Sequence, residues 1–388
     1  MGRRSFWQRR EKSLEVNMNH RILASLAFLV SSTIAGVAGT TKPEALHVLT
    51  PITHGNLTIF PVVGGTDYDT SHILTLDEGM KAGSVIITEQ GALRGLVRGQ
   101  HASRSSTAEV NRLVLVNNSD RPLLLLAGEI VTGGKQDRVI GADRIVPPKS
   151  DPVDLSVFCV EPGRWVARSE QFGSMKSQMA QPSVRVPAMA AKNQQQVWDQ
   201  VAAAREAAEM ASNLAVSPGA SHGNDLTYMR GTTSYATTMA APPVQAKIDS
   251  LAGDYNGVLS ELKKTGAKGV VVAINGELVW ADLFASNDLL LRYWQKLVRS
   301  YAAESLTTAS VKGKADMTEA QAFLDRMSGN REVIETEPGV FRRTEITGDS
   351  YKVFTLTALI PKTDYNLHTA KMSYDKEAHL EFPREVVR

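Results

Sequence analysis

The segment VVVAINGELVWADLF (270–284) reads as two strands joined by an Asn275-Gly276 turn. Its β-branched and aromatic residues suit a pleated surface, and Asn-Gly accepts the positive φ angles that a two-residue hairpin demands. The apolar period changes on both sides of it. Upstream, Val244, Ile248, Leu251, Tyr255, Leu259 and Leu262 form one helical ladder that stops near Gly266. Downstream, Leu290, Trp294, Leu297, Val298 and Tyr301 fall on one helical stripe. A further helix is expected from Thr318, with Gln321 completing a capping box and Ala320, Phe323, Leu324 and Met327 turned inward. YKVFTLTALI (351–360) and the segment to Leu380 return to strands.

Residues 46–160 show strand patterning only: LTIFPVV (57–63), HILTL (72–76), SVIIT (84–88), RLVLVN (112–117), PLLLL (122–126) and DLSVFCV (154–160). Gly64-Gly65, Asn117-Asn118 and Gly133-Gly134 punctuate them, and at most a turn is expected at 77–81. Residues 166–190, dominated by Ser, Gln, Met and Pro, read as a surface loop or linker. Val197, Val201, Ala204, Ala208 and Ala211 mark the next helix, and 213–241 is polar and rich in Gly, Ser and Thr. The fold class is therefore α+β. A β-rich subdomain is expected over 44–165, a linker over 166–190 and a mixed helix/strand subdomain over 191–388. SVIITEQGALRGLV and GVVVAINGELVWAD share a strand–Gly–strand look, a weak hint of duplication.

The chain has 388 residues, 43% apolar and 22% charged, enough for one large domain or two average ones. A disulfide miniprotein, a collagen, a coiled coil and a wholly disordered chain are excluded. Cys159 is the single cysteine, which rules out an intramolecular disulfide and a cysteine-based zinc cluster. The net charge of +2 is unevenly placed: residues 1–38 hold six of the 43 bases and two of the 41 acids. The remainder has 37 bases against 39 acids, a net of −2, so no bulk basic excess suits nucleic acid or anionic lipid.

Residues 1–38 read as an N-terminal extension followed by a signal peptide. Basic residues precede the apolar run ILASLAFLV (22–30), and small residues follow it. Cleavage fits after Ala35 or Ala38. Met18 makes a normal start, so 1–17 reads as an over-extended gene start. The run is short for a membrane span of about 20 residues, though an uncleaved anchor is the alternative. No cysteine follows it, which excludes a lipoprotein. The expected location is outside the cytoplasm, periplasmic or extracellular, with no stable membrane span after cleavage.

The densest chemistry lies in LLLLAGEIVTGGKQDRVIGADRIVPP, followed by VFCVEPGRW. An apolar strand delivers Gly128-Glu129, the Gly133-Gly134 turn follows, and Lys135, Gln136 and Arg138 emerge directly after it. Backbone amides beside two cations can converge on one anion. Glu129 is placed to pair with Lys135 or act as a base; the alternative is a plain turn with solvated or mutually paired charges. Strand alternation puts Leu155, Val157, Cys159 and Glu161 on one face, so Cys159 reads first as a buried thiol and second as a nucleophile. The eight histidines show no metal-ligand spacing. GxGxxG, GxxxxGK[ST] and GxSxG are all missing, so neither a metal nor a cofactor is expected. Trp165, Trp198, Trp280 and Trp294 read as core or interface residues.

TLDEGMKAGSVIITE, RPLLLLAGEIVTGGKQDRVIGADRIVPP and SVFCVEPGRW closely resemble a bacterial family, the ARG and rhodanese-phosphatase-superfamily-associated protein domain. Its usual form is Gly-Glu-Glu-Leu-x-Gly-Ala-Lys-Gln-Asn-Arg in the second block and Cys-Val-Glu-x-Gly-Arg-Trp in the third. Gly128, Glu129, Gly133, Lys135, Gln136, Arg138, Cys159, Glu161, Gly163, Arg164 and Trp165 match. Ile130 replaces the second Glu, Gly134 replaces Ala and Asp137 replaces Asn. The resemblance spans roughly 46–310 and implies no established activity. It does imply a pocket around Glu129, Lys135, Gln136, Arg138, Glu161 and Arg164.

Two functions fit. One is an exported binding domain whose Lys135, Gln136, Arg138 and Arg164 hold a small anionic or polar ligand. The other is an enzyme of unrecognised type, with Glu129 or Glu161 as general base and Lys135 and Arg138 stabilising negative charge. Both require the 128–138 and 159–165 motifs to meet in the fold. Oligomeric state is not legible in the sequence.

Overall fold

A computed structural model describes residues 45–89, 112–176, 178–213, 231–309, 313–360 and 364–374. The N-terminal extension, the signal segment, the second half of SVIITEQGALRGLV and the end of the expected C-terminal strand lie outside the described residues. From Pro43 onward the chain forms one compact unit. The fold is α+β, with three sheets and helices between and around them.

The Gly269–Ile274 and Glu277–Phe284 hairpin sits at the middle of the largest sheet. Asn275 (φ 54°) and Gly276 (φ 84°) both take positive φ, as the two-residue turn requires. On one side the hairpin pairs with Leu57–Val63, which carries Ile52–His54 and His47–Val48. On the other it pairs with Tyr365–Ser373, followed outward by Tyr351–Ala358, Phe341–Thr347 and Asn330–Glu337. A strand from the β-rich half thus pairs with the hairpin of the mixed half. The cut expected between 165 and 191 does not separate two cores.

The helix Asn287–Thr307 packs beneath this sheet, capped by Ser286, whose Oγ accepts from the Leu289 amide at 3.0 Å. Leu290, Trp294, Leu297, Val298 and Tyr301 are all buried, as the stripe predicts. Val197, Val201, Ala204 and Ala208 are likewise buried on the helix Gln194–Asn213. The 244–262 ladder is two helices, Pro242–Ala252 and Tyr255–Thr265, interrupted at Gly253. The last helix starts two residues earlier than expected. Asp316 and Glu319, not Thr318 and Gln321, form its capping box, because a carboxylate accepts from the first-turn amides better than a hydroxyl.

The β-rich half supplies two smaller sheets. One runs Gly173–Ser174, Ile130–Thr132, Arg138–Ile140, Val153–Cys159, Arg112–Asn117, Val85–Glu89. The other joins Arg144–Val146, Leu123–Leu125 and Leu74–Thr75, the last pair in parallel. The turn expected at 77–81 is a short helix, Leu76–Lys81, with its own Thr75/Glu78 capping box.

The expected surface linker at 166–190 is corrected by burial. Only its beginning is exposed; residues 178–182 and 184–189 are buried, with a half-buried Ser183 between them, and they include the helix Pro182–Val186 and a π-helical turn, Pro187–Ala191. Irregular backbone survives in a core only when its polar groups find partners. Here Ala180 N donates to the Gly128 carbonyl at 2.8 Å, Gln181 N to Tyr235 Oη at 3.2 Å and Ser183 N to Glu304 Oε2 at 2.9 Å. Composition alone shows no such partners, since they come from elements far along the chain.

Candidate functional site

The two motifs meet. Strand pairing sets Cys159 opposite Arg138 and Phe158 opposite Val139, and Val160 N donates to the Asp137 carbonyl at 3.0 Å. The Gly133-Gly134 turn is tightly enclosed. A Cβ on Gly134 would lie 2.3 Å from the Phe172 ring, and both glycines have positive φ.

Asp137, in that turn, ties three segments together. Its Oδ1 accepts from Gly133 N at 3.0 Å and from Arg164 at 3.4 Å, and its Oδ2 accepts from Ser234 Oγ at 2.8 Å. Burial raises its pKa, opposed by the Ser234 hydrogen bond and reinforced by the Glu161 charge. Arg164 clamps the next loop, donating to the carbonyls of Gly134 (2.7 Å), Val166 (2.9 Å) and Gly133 (3.2 Å). It also pairs with Glu161 at 2.6 Å, and Arg168 takes the other Glu161 oxygen at 3.2 Å.

Above these groups lies an open cleft of ≈ 690 Å³, bounded by Glu161, Gly163, Arg164, Trp165 and Arg168 on one side and Gly231 to Thr233 on the other. Glu161 is buried at its base with both oxygens engaged. Trp165 is 55% exposed, unlike Trp280 and Trp294 in the core, and the Arg168 side chain is 49% exposed. Neither Arg168 nor the 231–233 wall was among the sequence candidates. The wall has no local signature, because long-range bonds bring it here, Ser234 Oγ to Asp137 at 2.8 Å and Tyr235 N to the Val160 carbonyl at 3.0 Å.

The other candidates point elsewhere. Glu129 is fully buried and pairs with Lys296 at 2.7 Å, not with Lys135. Burial pulls the Lys296 ammonium down, but Glu129 and Asp77, the latter at 2.9 Å, outweigh it and raise its pKa. Lys135 is 43% exposed and lies 3.9 Å from Glu89. Gln136 is buried, and neither polar atom of its side chain has a hydrogen-bond partner among the described residues. Arg138 is buried beside Cys159. Burial pushes the Cys159 thiol up, against the pull of Arg138, which is the wrong direction for a nucleophile. Gln194 occupies the Cys159 backbone instead, accepting from its N–H at 2.8 Å and donating to its carbonyl at 2.9 Å. Among the described residues no group of three or more His, Cys, Asp or Glu is arranged to hold a metal ion.

A second charged cluster escaped the sequence reading. Arg185 forks onto Asp282 with two bonds of 3.1 Å, and Tyr301 Oη donates to Asp282 Oδ2 at 2.5 Å. His368 bridges Asp282 (3.2 Å) and Asp143 (2.6 Å). All five residues are buried. Burial pulls the His368 imidazole down, but Asp143 and Asp282 outweigh it and raise its pKa to about 9. Burial likewise pushes Asp282 up, and Arg185 and His368 hold it well below the usual carboxylate range. The cavity touching Asp143 has ≈ 10 Å³, about room for one water, so no substrate enters there. Gly128 makes the cluster fit: a Cβ there would lie 2.7 Å from Arg185 Nε. The one available signal was Asp282 itself, a lone acid sharing a strand face with Trp280 and Phe284.

Residues 45–371 match the ARG and Rhodanese-Phosphatase-superfamily-associated Protein domain. The chain belongs to that family. Within the matched span, the Cys159–Trp165 block supplies one wall of the cleft, and Arg164 ties it to the Gly133-Gly134 turn. No curated protein matches the chain, and no solved structure does. Among the described residues no helix is long and apolar enough to cross a membrane.

Proposed function

We propose that the chain is a binding domain that holds a small anionic or polar ligand in the cleft between residues 161–168 and 231–233. One observation carries the reading. Glu129, Gln136, Arg138 and Glu161 are buried and Lys135 faces Glu89, whereas Arg168 keeps half its side chain open on a cleft of small-molecule size. The ligand-holding set changes accordingly: Arg168 joins, Arg164 serves as the clamp, and Lys135, Gln136 and Arg138 support the floor. The enzymatic alternative is less well served, because Glu161 is held by two guanidinium groups and Glu129 by Lys296.

Native mass spectrometry of gently purified protein tests this. The expected result is a small anionic adduct that disappears in Arg168→Met while circular dichroism shows the fold retained, Arg164 still holding Glu161. An adduct that survives the substitution counts against the cleft. Export belongs to the same proposal and rests on the apolar run 22–30 with its basic and small-residue flanks. N-terminal sequencing of protein from an envelope fraction is expected to begin after Ala35 or Ala38; residues 1–17 on exported chain would contradict it.

A further inference from the structure

Resting on the binding reading above, we infer that the ligand carries a ring as well as an anionic group, the ring lying on Trp165 and the anion on Arg168. Nucleoside monophosphates and acidic sugars share this chemistry. Trp165 and Arg168 border one cleft, three residues apart. A lone exposed indole is ordinary on a surface, but one that lines a cleft beside a guanidinium offers a ring face for stacking next to a cation. The loop is not free to fold the indole away. Arg164 donates to carbonyls on both sides of Trp165's position, at Gly133 and Gly134 below it and at Val166 beside it. The Arg168 amide is tied down as well, donating to the Gly134 carbonyl at 2.9 Å. The backbone that carries the exposed indole is thus held in place.

Arg168 contacts Glu161 through one nitrogen, at 3.2 Å. A guanidinium has five N–H donors, so donors remain for a second anion. Glu161 does not need to be displaced, since Arg164 holds its other oxygen at 2.6 Å. The two arginines are balanced by Glu161 and by Asp137 behind Arg164, so the cleft has no charge excess to suit a polyanionic strand, and its anion rests on the unused donors of Arg168. A cleft of ≈ 690 Å³ has room for a ring compound and is far larger than an inorganic anion fills.

Isothermal titration of the full chain with five probes tests the inference: AMP, glucose 6-phosphate, glucuronate, methyl glucoside and inorganic phosphate. At least one ring-bearing anion is expected to bind tenfold or more tightly than both inorganic phosphate and methyl glucoside. Trp165→Ala is expected to reduce it to the level of phosphate, and Arg168→Met to the level of methyl glucoside. Both side chains are exposed, and unchanged circular dichroism verifies that the variants fold. Preference for AMP assigns a nucleotide; preference for either acidic sugar assigns that class. Phosphate binding as tightly as every ring compound, and lost in Arg168→Met, overturns the ring while leaving the anion cleft standing. Methyl glucoside binding as tightly as the anions overturns the anionic group, and with it this inference, while a polar-ligand cleft still stands. Silence of all five probes overturns the ring inference, and the adduct experiment above then judges the cleft alone.

Discussion

Ser234 Oγ donates to Asp137 Oδ2 at 2.8 Å across 97 residues of sequence, and with the Tyr235 N–H bond to the Val160 carbonyl at 3.0 Å it joins the two walls of the cleft. The same Ser234 oxygen accepts from Thr237 N at 3.0 Å, capping the helix Tyr235–Ala240. Asp137 therefore positions one wall through Arg164 and the other through a helix cap.

Asp137→Ala is expected to destabilise the protein by about 3–5 kcal/mol, because it leaves Gly133 N and Ser234 Oγ without their acceptor in a buried setting and removes one of the partners of Arg164. Asp137→Asn keeps an acceptor for Gly133 N and a donor for Ser234. It should lose less than half as much. Urea unfolding of the two variants makes the comparison; equal losses would show that the carboxylate charge, not the hydrogen-bond geometry, is what matters.

His368 gives the stability a pH dependence of known sign. Its folded pKa, about 9, lies above the ordinary 6.5, so the fold favours the protonated ring. The contribution is full below about 6.5 and disappears as pH rises through about 9. The shift corresponds to about 3 kcal/mol. Melting temperatures measured from pH 6 to 10 should fall more steeply in the wild type than in His368→Gln. Parallel curves would mean that the imidazole is neutral in the fold.

Arg185→Met strands the buried Asp282 carboxylate and is expected to lower stability by about 3–5 kcal/mol. The double variant Arg185→Met/Asp282→Leu removes both charges and should recover part of that loss. Recovery is incomplete, since Tyr301 and His368 still face the site. A double variant less stable than the single one would contradict the ion-pair account.

Cys159 is buried, so native thiol labelling by a bulky maleimide should be at least a hundredfold slower than in urea-unfolded chain. Cys159→Ser replaces a buried thiol beside Arg138 by a smaller, more strongly hydrated hydroxyl and is expected to lower stability by about 1–3 kcal/mol while ligand retention is unchanged. Fast labelling of folded protein would refute burial.

Lys135→Met should be nearly silent in stability, within about 0.5 kcal/mol, because its pairing with Glu89 is long and half-exposed. A loss above about 1.5 kcal/mol would give Lys135 a structural role that its geometry does not suggest.

Sequence by itself determined what short-range chemistry controls. The Asn275-Gly276 hairpin, the stripe from Leu290 to Tyr301 and the Gly133-Gly134 turn follow from φ preference and apolar period, which involve residues a few positions apart. Those rules also located the two motifs that build the cleft. Only the tertiary structure decided which charged groups pair with which. Glu129 meets Lys296 across 167 residues, and nothing near Glu129 announces it. The interior course of 178–189 and the strands at 330–337 and 341–347 were hidden for a related reason. The first is polar backbone whose partners come from distant helices, and Asn330–Glu337 is a largely exposed edge strand with no apolar alternation to show. Periodicity reports which face of an element is buried; it carries no information about what lies across from that face.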